Sequence, residues 1–490
     1  MPVIADIQDA SPAKVPDWLE ALSAALGEAQ LSTAVADRLA YARDRTPLAT
    51  FNMRAGRSLG DFPVAIATPE SEAQVAQVMA LANAHGFVVI PYGAGSGVVA
   101  GAIPVADTVM LDLKRLNGLV ELDDVNGLVT VQAGMNGARF EELLNARGWT
   151  SGHYPQSLNM STVGGWAACR GAGQASSRYG KIEDIVVGLR MVLPDGEILE
   201  IKPLPRRAVG PGLRDLFVGA EGTLGVITEV TLRIWRQPEV RHPLILAFPD
   251  LQAAWDALRE IMQSELRPEV ARLYDVTESR ERTAGKAPFD AKPVLCMLVL
   301  SGKAELAEVE LRLCREICEA HGADVSASLA LYEHWQNNRF ISYSPRYQAQ
   351  RYFMDTIEIT GRWSALPQLY DRIGSAIRDL HPDVFFGAHW SHVYPEGACQ
   401  YMTIRLPVLD DAQGLRLHGE VWDRAQRICL ELGGSISHHH GVGQLRNPWM
   451  AEELGRGQDV LQRIKDALDP NNVSNPGKLA LRPREDSDRG

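Results

Sequence analysis

Three glycine-rich segments, each next to a strand-like run, constrain this chain more than any other feature of its 490 residues. The first, PYGAGSGVVAG at 91–101, follows the apolar run FVVI directly. Pro91 and Tyr92 lead into Gly93, Gly95 and Gly97, which alternate with Ala94 and Ser96, so successive backbone N–H groups can curl into a nest for a diphosphate. The spacing is not GxGxxG at the mouth of a long helix, which argues against a doubly wound dinucleotide fold. The second segment, 152–186, holds Ser157, Ser161, Thr162, Gly164, Gly165, Gly171 and Gly173, and a long loop inside a compact domain is usually functional. The third, VGAEGTLGVITEVTLRI at 218–234, puts Gly219, Gly222 and Gly225 before an alternating strand, Val226 to Leu232, whose start abuts a ligand.

The rest of the chain divides around these segments. Residues 1–58 carry helical spacing of Leu and Ala, 59–238 alternate helix and strand, and 239–430 repeat strand then helix with a Trp- and Tyr-rich stretch. Residues 431–482 hold GGSISHHHGVG and LDPNNVSNPGKL, and the charged tail 483–490 is expected to be disordered. Within 71–86, Ser71 is the expected N-cap and Gly86 the expected C-cap of one helix. The fold class that follows is α+β, with an antiparallel sheet covered by helices in the second region.

Composition removes other classes. The charge balance is −12, so no basic field invites nucleic acid. Six cysteines without a CxxC are too few for a disulfide scaffold and are expected to be reduced, with Cys314 and Cys318 on one helix face. No apolar run is long enough to span a bilayer, and no basic-then-apolar leader opens the chain, so a cytoplasmic location is expected.

In combination, GAGSG after a strand, STVGG with RYG downstream, and EGTLGVITE resemble the FAD-linked oxidases of the vanillyl-alcohol-oxidase (PCMH) type over about residues 60–238. That resemblance implies a two-subdomain FAD-binding domain, an α+β cap over the substrate, and one FAD without a covalent link. Within that superfamily the segments 150–166, 178–187, GACQY at 397–401 and GGSISHHHGVGQLR at 433–446 are most similar to the alkylglycerone-phosphate synthase branch.

Carried across position by position, the resemblance implies flavin contacts at Pro91, Tyr92, Gly93, Ala94, Gly95, Ser96 and Gly97. It implies more at Gln156, Ser157, Ser161, Thr162, Cys169, Arg170, Gly171 and Ala172, and at Glu221, Gly222, Thr223, Leu224, Gly225 and Ile227. It places a catalytic acid/base on Tyr401, the histidine run on His438, His439 and His440, and a carboxylate-binding arginine on Arg346. A phenol with a reference pKa near 10 needs a neighbouring base, which imidazoles titrating near neutrality supply. The chain departs from that branch at Gln156, at Gln444 and within DTIEIT, where a serine of the branch is replaced, so a D-2-hydroxy-acid dehydrogenase or an alcohol or phenol oxidase of the same superfamily stays as the alternative. No metal is expected, because three adjacent residues do not converge on one ion. A homodimer is expected, with a small-molecule substrate; an alkyl-lipid substrate would add peripheral membrane contact.

Overall fold

The computed structural model describes residues 5–6, 15–340, 352–408 and 410–484. Three sheets organise it. The first runs Leu31–Ser32, Ala65–Ala67, Thr108–Asp112, Val88–Tyr92, the last three parallel. Parallel strands are covered on both faces, and these are mostly apolar and buried for that reason. The helix Glu72–His85 packs on this sheet; its Ser71 cap accepts from Gln74 N, and Gly86 closes it at φ 75°. Leu22 and Leu26 of the N-terminal segment join the same core.

The second sheet is antiparallel, in the order Ile198–Ile201, Val186–Val192, Val226–Arg233, Leu128–Gln132, Leu119–Asp123. The first two glycine-rich segments lie where these two sheets meet: a Cβ on Gly93 would collide with the Thr162 hydroxyl.

The third sheet is the cap: Val240–Phe248, Val294–Gly302, Val270–Tyr274, Phe385–Val393, Gly397–Pro407, Tyr352–Arg362, antiparallel throughout. Helices Leu251–Gln263, Ala304–Ala320, Leu366–Arg378 and Asp411–Glu431 cover one face. Trp255, Ile261, Cys314, Cys318, Ile373 and Trp422 interlock there with Leu298, Trp390, Met402 and Ile404, and each large apolar side chain so buried stabilises the fold by about 1.5–3 kcal/mol. Cys314 and Cys318 do share a helix face, and all six cysteines are free.

The other face of the cap sheet is left for the site. Directly paired residues point to the same face, and the register aligns Tyr274, His389, Tyr401 and Glu358 in one row across four strands. A β-bulge between Trp390 and His392 then shifts the pairing so that His392 stands opposite Cys399. Without it, positions 389 and 392 would face opposite sides; with it both imidazoles reach the open face.

The C-terminal segment returns to the first sheet. Ser474 bridges to Val89, its hydroxyl donates to Gly222 O at 2.9 Å, and Asn475 Nδ2 donates to Glu221 O at 2.7 Å.

Candidate active site

The nest is built at the C-terminal end of Val88–Tyr92. Among the described residues, the N–H groups of Gly93 through Val98 donate to no protein acceptor. Their carbonyl side, by contrast, is pinned. Lys114 Nζ donates to Gly93 O at 3.2 Å, Arg45 N to Gly97 O at 2.8 Å, and Asp44 accepts from Ala100 N at 2.7 Å and Thr46 N at 3.0 Å. The Tyr41 ring packs 4.7 Å from that of Tyr92, with the Lys114 ammonium 5.2 Å from each. A row of N–H groups held in place but unpaired is what an anionic diphosphate completes. Tyr41, Asp44 and Arg45 were not singled out from sequence, because only the fold brings the N-terminal segment to the loop.

Other expected contact residues serve partly as scaffold. Ser161 Oγ accepts from Trp166 Nε1 at 2.8 Å and donates to Ser157 O at 2.9 Å, and Thr162 caps the helix Val163–Cys169. The Glu221 carboxylate accepts from Val442 N at 2.6 Å and Gly443 N at 2.8 Å, tying the third glycine segment to the histidine loop. Gly443, at φ 54°, lies so close to Val99 O that no side chain fits. Thr223 and Leu224 point into the core, Arg170 lies at the surface 3.8 Å from Glu183, and Gln156 accepts from Gln174 at 2.9 Å. Burial and Glu221 push the Cys169 thiol up to about 12, so it stays protonated. At the start of the second segment, His153 is 1% exposed, neither ring nitrogen has a partner among the described residues, and burial holds its pKa at about 3. The unpaired N–H row and this orphaned imidazole fit a flavin dinucleotide.

Across from the nest, the row on the cap sheet carries the candidate chemistry. Tyr401 donates to Thr356 Oγ1 at 3.0 Å. Its ring lies 4.8 Å from His389, 6.0 Å from His439 and 5.7 Å from His440. Burial raises the phenol well above its ordinary value, so it holds its proton.

The loop bearing the histidines is nailed down by Glu358, which sequence reasoning missed. This fully buried carboxylate accepts from His438 N, from His440 N at 2.9 Å, from Ser437 Oγ at 3.1 Å and from the fully buried Arg446 at 3.0 Å. Burial alone would raise its pKa; Arg446, His440 and the two amides lower it below the ordinary value.

The three adjacent histidines separate. His440 turns its Nδ1 to 3.5 Å from Glu358, while His438 and His439 pack with His392 at 4.8 and 4.9 Å between ring centroids. One ligand atom from each of these three lies within 4.8 Å of the others, so imidazoles do converge here, the third coming from the bulged strand rather than the run. They form a hydrogen-bonded chain: Ser176 Oγ with His392 Nδ1 at 2.7 Å, Tyr394 OH with His438 Nε2 at 2.9 Å, and His438 Nδ1 with His439 Nδ1 at 2.9 Å. Lys181 Nζ donates to His438 O at 2.5 Å. Burial, the neighbouring rings and Lys181 hold all three well below the usual histidine range. The expectation that these rings titrate near neutrality is thereby corrected, since they are neutral at pH 7. Arg346 lies outside the described residues.

A diphosphate nest on a parallel strand, an antiparallel sheet beside it and a cap presenting tyrosine and imidazoles define a two-domain FAD-binding enzyme. The chain belongs to the FAD-linked oxidases: the model for the FAD binding domain matches residues 63–202, and that for the C-terminal domain of FAD linked oxidases matches 237–479. It is 33% identical over 435 residues to the "Uncharacterized FAD-linked oxidoreductase YgcU" of Escherichia coli, covering 85% of this chain and 89% of that protein. It is 30% identical over 463 residues to the alkyldihydroxyacetonephosphate synthase of Caenorhabditis elegans, covering 86% of this chain and 76% of the other. A solved alkyldihydroxyacetonephosphate synthase superposes with a TM-score of 0.78 at 24% identity, over 99% of this chain and 89% of that one. The cofactor is FAD and the fold is of the PCMH type. Among the described residues no helix is long and apolar enough to cross a membrane.

Proposed function

We propose that this FAD enzyme exchanges the acyl chain of an acyl-dihydroxyacetone phosphate for an alkyl chain, with Tyr401 and His438 to His440 managing protons beside the flavin. The observation that carries this reading is the placement of Tyr401 against His439 and His440 on a loop fixed by Glu358 and Arg446. Gly93 to Gly97 hold the diphosphate, and the segments Ser157 to Thr162, Cys169 to Ala172 and Glu221 to Ile227 line the remainder of the cofactor through their backbone, with Thr223 and Leu224 turned into the core and Arg170 to the surface. FAD is non-covalent and supplies an electrophile or a hydride acceptor. The protonated phenol of Tyr401 gives a proton, and the neutral ring of His439, fixed by its hydrogen bond to His438, takes one. No resident metal is proposed, because both nitrogens of His438 are already hydrogen-bonded.

A second reading, oxidation of a 2-hydroxy acid or an alcohol, is favoured by one observation. His389 carries a carboxylate behind it and, among the described residues, no protein partner on its other nitrogen, a pairing suited to removing a hydroxyl proton.

The test is anaerobic mixing of the yellow holoenzyme with acyl-dihydroxyacetone phosphate plus a fatty alcohol and, separately, with D-lactate, D-2-hydroxyglutarate and vanillyl alcohol. Ether product with no lasting bleaching supports the exchange. Bleaching by a hydroxy acid or alcohol alone replaces it with the second reading.

A further inference from the structure

The cap face holds a second acid–base pair besides Tyr401 and the histidine run, the one that favours the second reading, and its construction assigns each member a task. Glu278 rises from the helix Val276–Thr283, capped by Asp275, and its Oε2 lies 3.1 Å from His389 Nδ1. The other oxygen accepts from Thr403 Oγ1 at 3.0 Å, and Arg282 stands 3.1 Å from Oε2. Room for this reach comes from Gly387, where an added Cβ would strike Glu278 Cγ. Three groups on three elements therefore hold one carboxylate against one imidazole.

The ring they hold faces the site. His389 pairs with Tyr401 in register and stacks on its ring, and Tyr274 flanks it on the other side at 5.7 Å. Its Nε2 has no protein partner among the described residues. Burial lowers the imidazole's pKa despite Glu278, while Glu278, which burial alone would raise, is held below the ordinary carboxyl value by the hydrogen bonds from the ring and Thr403 and by Arg282. The state that follows is a neutral ring donating Nδ1–H to an ionised carboxylate whose charge Arg282 balances. That tautomer leaves a lone pair on Nε2.

We propose that His389 is a catalytic base that accepts the proton of a substrate hydroxyl, with Glu278 the positioning residue that fixes its tautomer. This rests on the cap face being the reaction site. The substrate class is an alcohol, and both readings contain one: the incoming fatty alcohol of the exchange, or the carbinol to be oxidised. In the step, the substrate O–H bond breaks, an N–H bond forms at Nε2, and the electron pair stays on oxygen. Tyr401 then serves the proton at carbon or at the leaving oxygen, so the two groups do separate tasks.

The experiment has two arms. In the first, ¹⁵N-histidine spectra of the holoenzyme, with the His389 signals assigned by their loss in His389→Asn, report the tautomer at pH 7 without substrate. Nδ1–H with an unprotonated Nε2 is expected, converting toward a mixed tautomer in Glu278→Gln. An Nε2–H tautomer or a cationic ring in the parent overturns the proposal even if the enzyme turns over. In the second arm, whichever reaction the parent catalyses is measured in His389→Asn and Glu278→Gln that retain FAD. A base of this kind is worth about 100-fold or more, so kcat should fall by at least that in His389→Asn and less in Glu278→Gln, with KM little changed. Undiminished kcat in FAD-loaded His389→Asn overturns the base and leaves the functional reading standing. A parent inactive on every alcohol overturns the functional reading and the base with it, whatever the tautomer.

Discussion

Substituting Glu358 by Gln isolates the group on which the histidine loop depends. The side chain keeps its shape and loses its charge. Both oxygens accept now, so the new NH2 must face a donor, His438 N or the set of His440 N, Ser437 Oγ and Arg446. Arg446 is fully buried and would be left as a cation without its carboxylate. Breaking a buried pair in this way costs about 3–5 kcal/mol. For a unit of 150–250 residues each kcal/mol moves Tm by about 2–4 °C, so Glu358→Gln should melt at least about 6 °C lower by calorimetry. Arg446→Met added to it should recover part of the loss by removing the stranded charge. The pH dependence has a fixed sign. The folded pKa lies below the ordinary carboxyl value, so this stability is present above the unfolded value, about 4.3, and is lost as pH falls through the folded one. The variant should lack that acid limb. A variant that melts within about 2 °C of the parent would refute the reasoning, since that is less than the smallest cost assigned to a broken buried pair.

Other consequences follow from the same geometry. Gly93→Ala puts a methyl against the Thr162 hydroxyl, so it should weaken FAD binding, read by flavin fluorescence on dilution, with little change in the apoprotein's melting. Lys478 is fully buried, donates to Ile103 O at 3.0 Å, and burial lowers it to about 7. Its unfolded amine keeps the proton to about 10.4, so the unfolded chain binds more protons in between and stability rises with pH through that window; Lys478→Met should flatten the rise in melts at pH 7 and pH 9. Tyr401→Phe should keep FAD and lose about 100-fold or more in turnover, measured with whichever substrate the parent accepts.

What the sequence disclosed divides along physical lines. The helix at 72–85 was legible because both caps are local, Ser71 accepting from Gln74 N and Gly86 at φ 75°. The nest was legible because alternating glycines act through their own backbone. The pairing of Tyr401 with the histidine run came through resemblance, since the two are far apart in sequence and meet only through the register of the cap sheet. Glu358 and Arg446 were missed because a buried ion pair between distant segments leaves no periodic mark. His389 and His392 were not joined to the site from sequence: three residues apart on a regular strand they face opposite ways, and the bulge that unites them has no signature in AHWSHV or in GACQY opposite it.

The central claim is that this chain clasps FAD between its two FAD-side sheets and presents the tyrosine–histidine face of the cap to it. Its most direct test is reconstitution of purified protein with FAD, followed by gel filtration, a visible spectrum and denaturation. The account predicts a yellow protein with one FAD per chain that denaturation sets free. A chain that emerges colourless after incubation with FAD would contradict it.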